Sequence, residues 1–237
     1  MPLTELADAL KVSASTVRRD LEILEGQGTI RRTHGGAVAL AEPPSPVLSF
    51  ADRVSAAATE KKAIALAVAR LIGDDQTIII NGGTTCLQVA AALAGRRLSV
   101  VTNSVPVAAA LLGEVDTEVT LVGGYLYPRH GVALGERAIE TLGTLRAAQL
   151  VTSCAAVNPD GAFEVNEMMA AVERRMLEVS DQVILAVDHG KIDRRSIARL
   201  CAWGEVDVLV TDAGVDEAAR QWIGRTGVKL IVAEAPA

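Results

Sequence analysis

The chain has 237 residues, half of them hydrophobic and 22% charged, which suffices for one large α/β domain or a small domain plus a medium one and argues against disorder. Only 3% are aromatic, so the core has to be built from Ala, Val, Leu and Ile, and stacking platforms for single-stranded nucleic acid are excluded. The net charge of −6 argues against a general polyanion binder, but residues 1–36 carry five basic and five acidic side chains, so the acidic excess lies in the remainder.

Cys86, Cys154 and Cys201 are widely spaced and form no CxxC or Cys/His ligand pattern. Neither a disulfide framework nor a metal site is expected, no cofactor is indicated, and a reducing cytoplasm is the natural compartment. No apolar run reaches the ~18 residues that a membrane span needs, and no signal-peptide pattern opens the chain.

In chain order, Leu3, Leu6, Ala7 and Leu10 have helical spacing, and Lys11-Val12-Ser13 interrupts it. Ser13 is placed as N-cap of a second helix running to about Gly26–Gly28. At about 100° per residue, Val17, Leu21 and Leu24 share one face of that helix. Ser15, Arg19 and Glu22 share the opposite face, with Arg18 on the flank. Two helices and a tight turn read as a helix-turn-helix, with Arg19 suited to guanine edges or phosphate and Ser15 and Thr16 to phosphate or base contacts. Thr29–Val38 reads as a short hairpin with Gly35-Gly36 near its turn, so that Arg31, Arg32 and His34 form a wing along double-stranded DNA. A small amphipathic helix pair with solvated charges is the plainer alternative. The coincidence of spacing, turn and basic hairpin favours the DNA reading.

Three of the eight prolines fall within Ala41–Pro46, which marks a linker. The domains are then 1–40 for DNA binding, 41–54 as linker and 55–237 as an α/β domain. A long Ala-rich helix is predicted over Ser55–Ile72. Strands follow at Thr77–Ile80, Leu98–Thr102, Glu118–Val122, Gln149–Ser153, Gln182–Val187, Val206–Thr211 and Val228–Val232. Helices are predicted at Thr85–Leu93, Pro106–Leu112, Glu136–Leu145, Glu167–Ser180 and Asp216–Gly224. Several strands are continuous apolar runs, so the fold class is a three-layer, mostly parallel α/β sheet covered on both faces.

Polar clusters follow these apolar runs. Asn81-Gly82-Gly83-Thr84-Thr85 presents free N–H groups at a helix start, a seat for phosphate or carboxylate. It is neither a dinucleotide fingerprint nor a Walker loop. Thr102-Asn103-Ser104, Gly123-Gly124 with Arg129 and His130, and Asp188-His189-Gly190-Lys191 are placed at the same sheet edge. Lys191 and Arg129 suit a phosphate; Asp188 or Asp160 suits sugar hydroxyls. Plainer readings stand beside these: Asn103 as a helix cap, His130 and His189 as loop residues, and Asp160-Gly161 as a turn. Cys86 reads as a small buried residue, Arg53 with Glu60 and Lys61 as a solvated or interdomain face, and Met168, Met169 and Met176 as core.

The segments Leu3-Thr4-Glu5-Leu6-Ala7, Thr16-Val17-Arg18-Arg19-Asp20-Leu21 and His34-Gly35-Gly36-Ala37 closely resemble the DeoR family of bacterial transcription regulators. The resemblance implies a winged helix-turn-helix, with Ser13, Ser15, Thr16, Arg18, Arg19, Arg31, Arg32 and His34 toward DNA. Family members carry one more helix ahead of Leu3, so a native start upstream of Met1 is expected. The stretches Gly83-Thr84-Thr85, Val101-Thr102-Asn103-Ser104, Leu121-Val122-Gly123-Gly124, Asp188-x-x-Lys191 and Val210-Thr211-Asp212 resemble the family's C-terminal sensor, which is similar in fold to sugar-phosphate isomerases and CoA-transferases. By that resemblance Gly83, Thr84 and Thr85 cradle a sugar's phosphate and Lys191 pairs with it. Asn103, Arg129 and Asp160 then complete the pocket. Asn81-Gly82 stands where the family usually has Asp-Ser, and Met168-Met169 where an acidic residue is common.

The expected function is a repressor of a carbohydrate operon that binds operator DNA as a homo-oligomer, dimer or tetramer, under control of a phosphorylated sugar. The alternatives are a sugar-phosphate isomerase or CoA-transferase-like enzyme, which needs a base such as Glu164 or Asp160, and a structural DNA-binding protein without an effector.

Overall fold

The computed structural model describes residues 12–17, 19, 21, 30–33, 36–39 and 50–234, with backbone alone for 30–39. Two compact units divide at residue 49, Met1–Ser49 and Phe50–Ala237.

In the first unit, residues 14–17, 19 and 21 are helical. Ser13 caps this helix: the Thr16 N–H donates to its Oγ at 3.2 Å and the Val17 N–H to its carbonyl at 3.1 Å. Val17 (2% exposed) and Leu21 are buried, while Ser15 and Arg19 are exposed, as the helical wheel requires. Strands β1 (Ile30–Thr33) and β2 (Gly36–Ala39) pair antiparallel with Thr33 opposite Gly36. The helix expected over Leu3–Leu10, the linker residues 41–49, and Arg18, Leu24 and His34 lie outside the described residues, as do the side chains of Arg31 and Arg32.

The second unit opens with α1 (Phe50–Ser55), in the stretch read as linker. The helix predicted over Ser55–Ile72 is α2 (Ala58–Ala69), and the unpredicted α1 is separated from it at Ala57, which is left-handed with φ 51°. Alanines do not break helices by propensity. The break is tertiary: the Lys61 ammonium donates to the carbonyls of Arg53 and Ala56, each at 2.5 Å. It thereby satisfies groups that α1 leaves open at its end.

Seven strands form one parallel sheet in the order β14-β13-β11-β8-β3-β4-β5. They are β3 (Gln76–Ile80), β4 (Leu98–Thr102), β5 (Thr117–Leu121), β8 (Ala147–Thr152), β11 (Ser180–Ala186), β13 (Val208–Asp212) and β14 (Lys229–Ala233). Each corresponds to a predicted strand. Alternate residues feed two cores. Ile78, Ile80, Val100, Val151 and Ile184 pack with α2, α3 (Thr84–Leu93) and α4 (Val105–Ala110). Ile79, Val101, Leu150, Leu185 and Leu209 pack with α5 (Glu136–Gly143), α6 (Glu167–Glu178) and α7 (Glu217–Gly224). This is the three-layer arrangement expected for strands apolar on both faces.

Two smaller sheets were not predicted. β6 (Tyr125–Tyr127) and β7 (Val132–Leu134) form an antiparallel hairpin. β9 (Ala156–Asn158), β10 (Gly161–Glu164) and β12 (Ala198–Cys201) form an antiparallel sheet in the order β12-β10-β9. Gly161 is obligatory there: at φ 134° a Cβ would stand 2.3 Å from the Cys201 carbonyl oxygen. Beside this sheet Trp203 and Trp222 pack with ring centroids 5.5 Å apart.

Lys61→Met keeps the apolar stem and removes the ammonium that closes α1. Amide hydrogen exchange in α1 should speed up by about tenfold or more, with α2 and the sheet unchanged. Unchanged exchange in α1 would show that the Lys61 contacts do not hold it.

Candidate functional site

Chain order reverses across the sheet between β3 and β8: one arm runs β3-β4-β5, the other β8-β11-β13-β14. Loops at the C-terminal ends of these two neighbours diverge, which is where ligands bind in sheets of this kind.

The loop after β3 is built for close approach. The Asn81 N–H donates to the Val151 carbonyl at 2.9 Å, and its amide donates to Thr152 Oγ1 at 2.9 Å, tying the loop to β8. A Cβ on Gly82 would meet Val132 Cγ1 at 2.2 Å. Gly83 adopts φ 101°, and the space beside it is open. α3 starts at Thr84, so its first N–H groups and positive dipole end face that opening. Thr84 and Thr85 are buried, and Thr85 Oγ1 has no hydrogen-bond partner.

After β4, the helix cap proves to be Ser104 rather than Asn103: Ser104 Oγ accepts the Val107 N–H at 3.4 Å. Asn103 instead donates its amide to the Ala133 carbonyl at 3.0 Å, and its Oδ1 is buried without a partner. A side chain engaged with β7 is not free to cap α4.

Lys191 stands in a 3-10 turn (His189–Lys191) after β11 and donates from Nζ to Ser153 Oγ at 3.0 Å, joining the loops after β11 and β8. Two more cations adjoin it. Lys61, read from sequence as part of a solvated face, is only 4% exposed. Burial draws its pKa down, Asp188 opposes that, and Lys191 and Arg53 reinforce it. Arg53 donates to the Arg129 carbonyl at 2.7 Å. Its pKa is drawn down by burial and by the Arg129 guanidinium, against Glu164 and Tyr127.

Acids balance these cations. Glu164 and Glu173 are buried, and burial raises both carboxyls above the usual range. Asp212 behaves oppositely. Burial works upward on it, but the N–H groups of His189 and Gly214 and the His189 ring (Nδ1 to Oδ2, 2.7 Å) hold it below the usual range.

Of the residues expected at this site, Gly83, Thr84 and Thr85 share the start of α3, and Lys191 acts electrostatically on Cys86 in the first turn of that helix. Arg129 joins through Arg53. Asp160 does not join them. It lies in the exposed β9–β10 turn, where its carbonyl accepts Arg199, about 13 Å along β10 from Glu164 at the strand rise per residue. Burial pushes the Cys86 thiol up to about 12, consistent with a small buried residue and not a reactive thiolate. Met169 and Met176 are core, but Met168 is 51% exposed. Sequence reasoning passed over Ser153 and Glu173. Glu173 had a signal, since it falls on the helix face of Met169, Val172 and Met176.

His130 is a packed residue, stacked on Tyr127 at 5.2 Å. Burial, then Arg53 and Arg129, push its pKa from 6.5 to about 4. Above pH 6.5 the imidazole is neutral in both folded and unfolded chains; below it, the unfolded chain takes up a proton that the folded chain refuses until about pH 4. Stability from this group is therefore complete above pH 6.5 and is lost as pH falls toward 4. His130→Phe keeps the stack and removes the proton. The wild-type-minus-variant difference in melting temperature should be flat above pH 6.5 and decline below it; a flat difference throughout would refute the assignment.

Among the described residues no three His, Cys, Asp or Glu side chains are grouped to hold a metal, and no helix is long and apolar enough to cross a membrane. A capped helix with outward Ser15 and Arg19, and a separate parallel α/β unit whose loops diverge between β3 and β8, have the architecture of a transcription regulator. Comparison with known proteins agrees: residues 1–42 match the DeoR-like helix-turn-helix domain, and residues 56–213 match the DeoR C terminal sensor domain. The chain belongs to the DeoR family of transcription regulators.

Among its relatives, the HTH-type transcriptional repressor CsqR of Escherichia coli is 38% identical over 90% of this chain and 81% of its own length. The glycerol-3-phosphate regulon repressor of the same organism is 35% identical over 88% and 83%. The HTH-type transcriptional repressor GlcR of Bacillus subtilis is 31% identical over 97% and 89%. These relatives are named as repressors, and the isomerase alternative is not favoured. The solved ribose 5-phosphate isomerase A of Neisseria gonorrhoeae aligns with 57% of this chain and 53% of its own at 15% identity and TM-score 0.41, too distant to bear on activity.

Proposed function

We propose that this protein is a repressor of a carbohydrate-utilisation operon whose affinity for operator DNA is set by a phosphorylated sugar bound in the second unit. One observation carries the effector reading. The open, N–H-lined start of α3 at Gly83–Thr85 lies within the field of Lys191, whose ammonium is held by Ser153. A helix N-terminus beside a lysine suits a dianionic phosphate. Thr84 and Thr85 add hydroxyls, Asn103 and Arg129 flank the group, and Arg53 and Lys61 enlarge its positive field. The name of the glycerol-3-phosphate regulon repressor fits a phosphorylated polyol as the signal.

For DNA, Ser13, Ser15, Thr16 and Arg19 lie on or beside the exposed helix face, and Arg18, Arg31, Arg32 and His34 extend the interface onto flank and wing. Regulation is linkage: an effector that prefers one DNA-affinity state shifts the population by no more than its differential affinity. A dimer or tetramer in the cytoplasm fits this role, because paired half-sites multiply affinity.

The direct test is fluorescence anisotropy on DNA from upstream of the protein's own operon, at stated salt, titrated with sugar phosphates. Arg19→Ala should weaken specific binding by roughly tenfold or more and leave effector binding intact. Lys191→Ala should do the reverse, giving DNA binding that no sugar phosphate releases. Loss of both properties in either variant, with the fold intact by circular dichroism, would count against two separate sites.

A further inference from the structure

Two buried acids play no part in seating an anion. Glu173 lies on the apolar face of α6, 3% exposed, and Glu164 ends β10, 4% exposed. Their surroundings differ. The Glu164 carboxylate accepts the Val165 N–H at 3.0 Å and is reached by that of Ala155. Glu173 has only the Asn81 amide in reach, and its Oε2 has no hydrogen-bond partner. The charged groups that face it are Glu164 from β10 and Lys191 from the turn after β11. Its charge is felt by the thiols of Cys86, Cys154 and Cys201, all kept protonated by burial. Its helix neighbours turn elsewhere, Arg174 to the carbonyls of Arg199 and Leu200 and Arg175 to Glu178.

An ionised carboxylate with a single amide donor, next to a second carboxylate, is strongly disfavoured. Burial and the Glu164 charge both raise the Glu173 carboxyl well above the usual range. A neutral carboxylic acid has an O–H to donate. Two buried side-chain oxygens, Thr85 Oγ1 in the first turn of α3 and Asn103 Oδ1 in the loop after β4, also lack partners. Buried polar atoms rarely go unpaired in a completed site.

We infer that Glu173 is a specificity-determining residue of the effector site, donating its carboxyl O–H to a hydroxyl or carbonyl oxygen on the uncharged end of a phosphorylated sugar. The inference rests on the effector reading above, with Lys191 and the Gly83 loop at the phosphate. A second anion at that end meets the Glu164 carboxylate as a like charge, so aldonic-acid phosphates and bisphosphates are rejected. The pair selects a monophosphate with a neutral polyol or carbonyl end.

The test uses the full chain. At pH 7 the wild type should show the infrared band of a protonated carboxylic acid, and Glu173→Gln should lose it. Thermal shift then compares inorganic phosphate, glycerol 3-phosphate, glucose 6-phosphate, fructose 6-phosphate and 6-phosphogluconate. Glu173→Gln keeps a neutral donor and should bind the preferred sugar phosphate within about threefold of wild type, whereas Glu173→Leu should lose about tenfold or more. Inorganic phosphate should stabilise all three proteins equally. Wild-type affinity for the sugar phosphate should decline as pH rises into the range where Glu173 ionises, and that of Glu173→Gln should not. Absence of the band, equal binding by the Gln and Leu variants, or tight binding of 6-phosphogluconate overturns the inference. No stabilisation of the wild type by any phosphate overturns the effector reading, and this inference with it.

Discussion

Strands β3 and β8 lie side by side, yet the chain leaves them in opposite directions, and the region above the sheet follows from that divergence. Separated loops leave room at their root, and the backbone there has to approach closely without side chains. Gly82 meets the first demand against Val132, and Gly83 leaves its side open. Asn81 then bolts the loop to β8 with its main chain and its amide. The helix start at Thr84 and the Lys191–Ser153 contact are held to this fixed seam, so the proposed anion seat is built on the sheet rather than on free loops.

Charge desolvation shapes the surroundings. Three cations, Arg53, Lys61 and Lys191, and three acids, Asp188, Glu164 and Glu173, share a region with little water. Such groups persist only when donors meet oxygen and charges oppose. Lys61 meets the demand with two carbonyls at the end of α1, Lys191 with Ser153, and Arg53 with the Arg129 carbonyl. Among the described residues, the one buried carboxyl oxygen left without a partner, on Glu173, is where the balance is incomplete.

What could be read in advance follows from which forces are local. The seven sheet strands were legible because continuous apolar runs have no other comfortable place. The DNA-facing helix was legible because Val17 and Leu21 fall on one side and Ser15 and Arg19 on the other. β6, β7, β9, β10 and β12 were not, since each is three or four residues long and shows no period. The break at Ala57 was invisible because the residues there favour helix and the cause is a side chain four positions on. Gly83, Thr85 and Lys191 were singled out through motif and resemblance. Lys61 and Glu173 were misread or missed, because a charged residue suggests solvent until its helix face is compared with its neighbours.

The scarcity of aromatic residues has an optical consequence. Both tryptophans, Trp203 and Trp222, pack against each other in the second unit, and residues 1–49 contain no Trp, Tyr or Phe. Intrinsic fluorescence therefore originates wholly in residues 50–237. A change in that emission on adding a sugar phosphate reports on the effector unit itself, while the DNA-binding unit stays dark and is seen only through a label on the DNA or on an introduced residue.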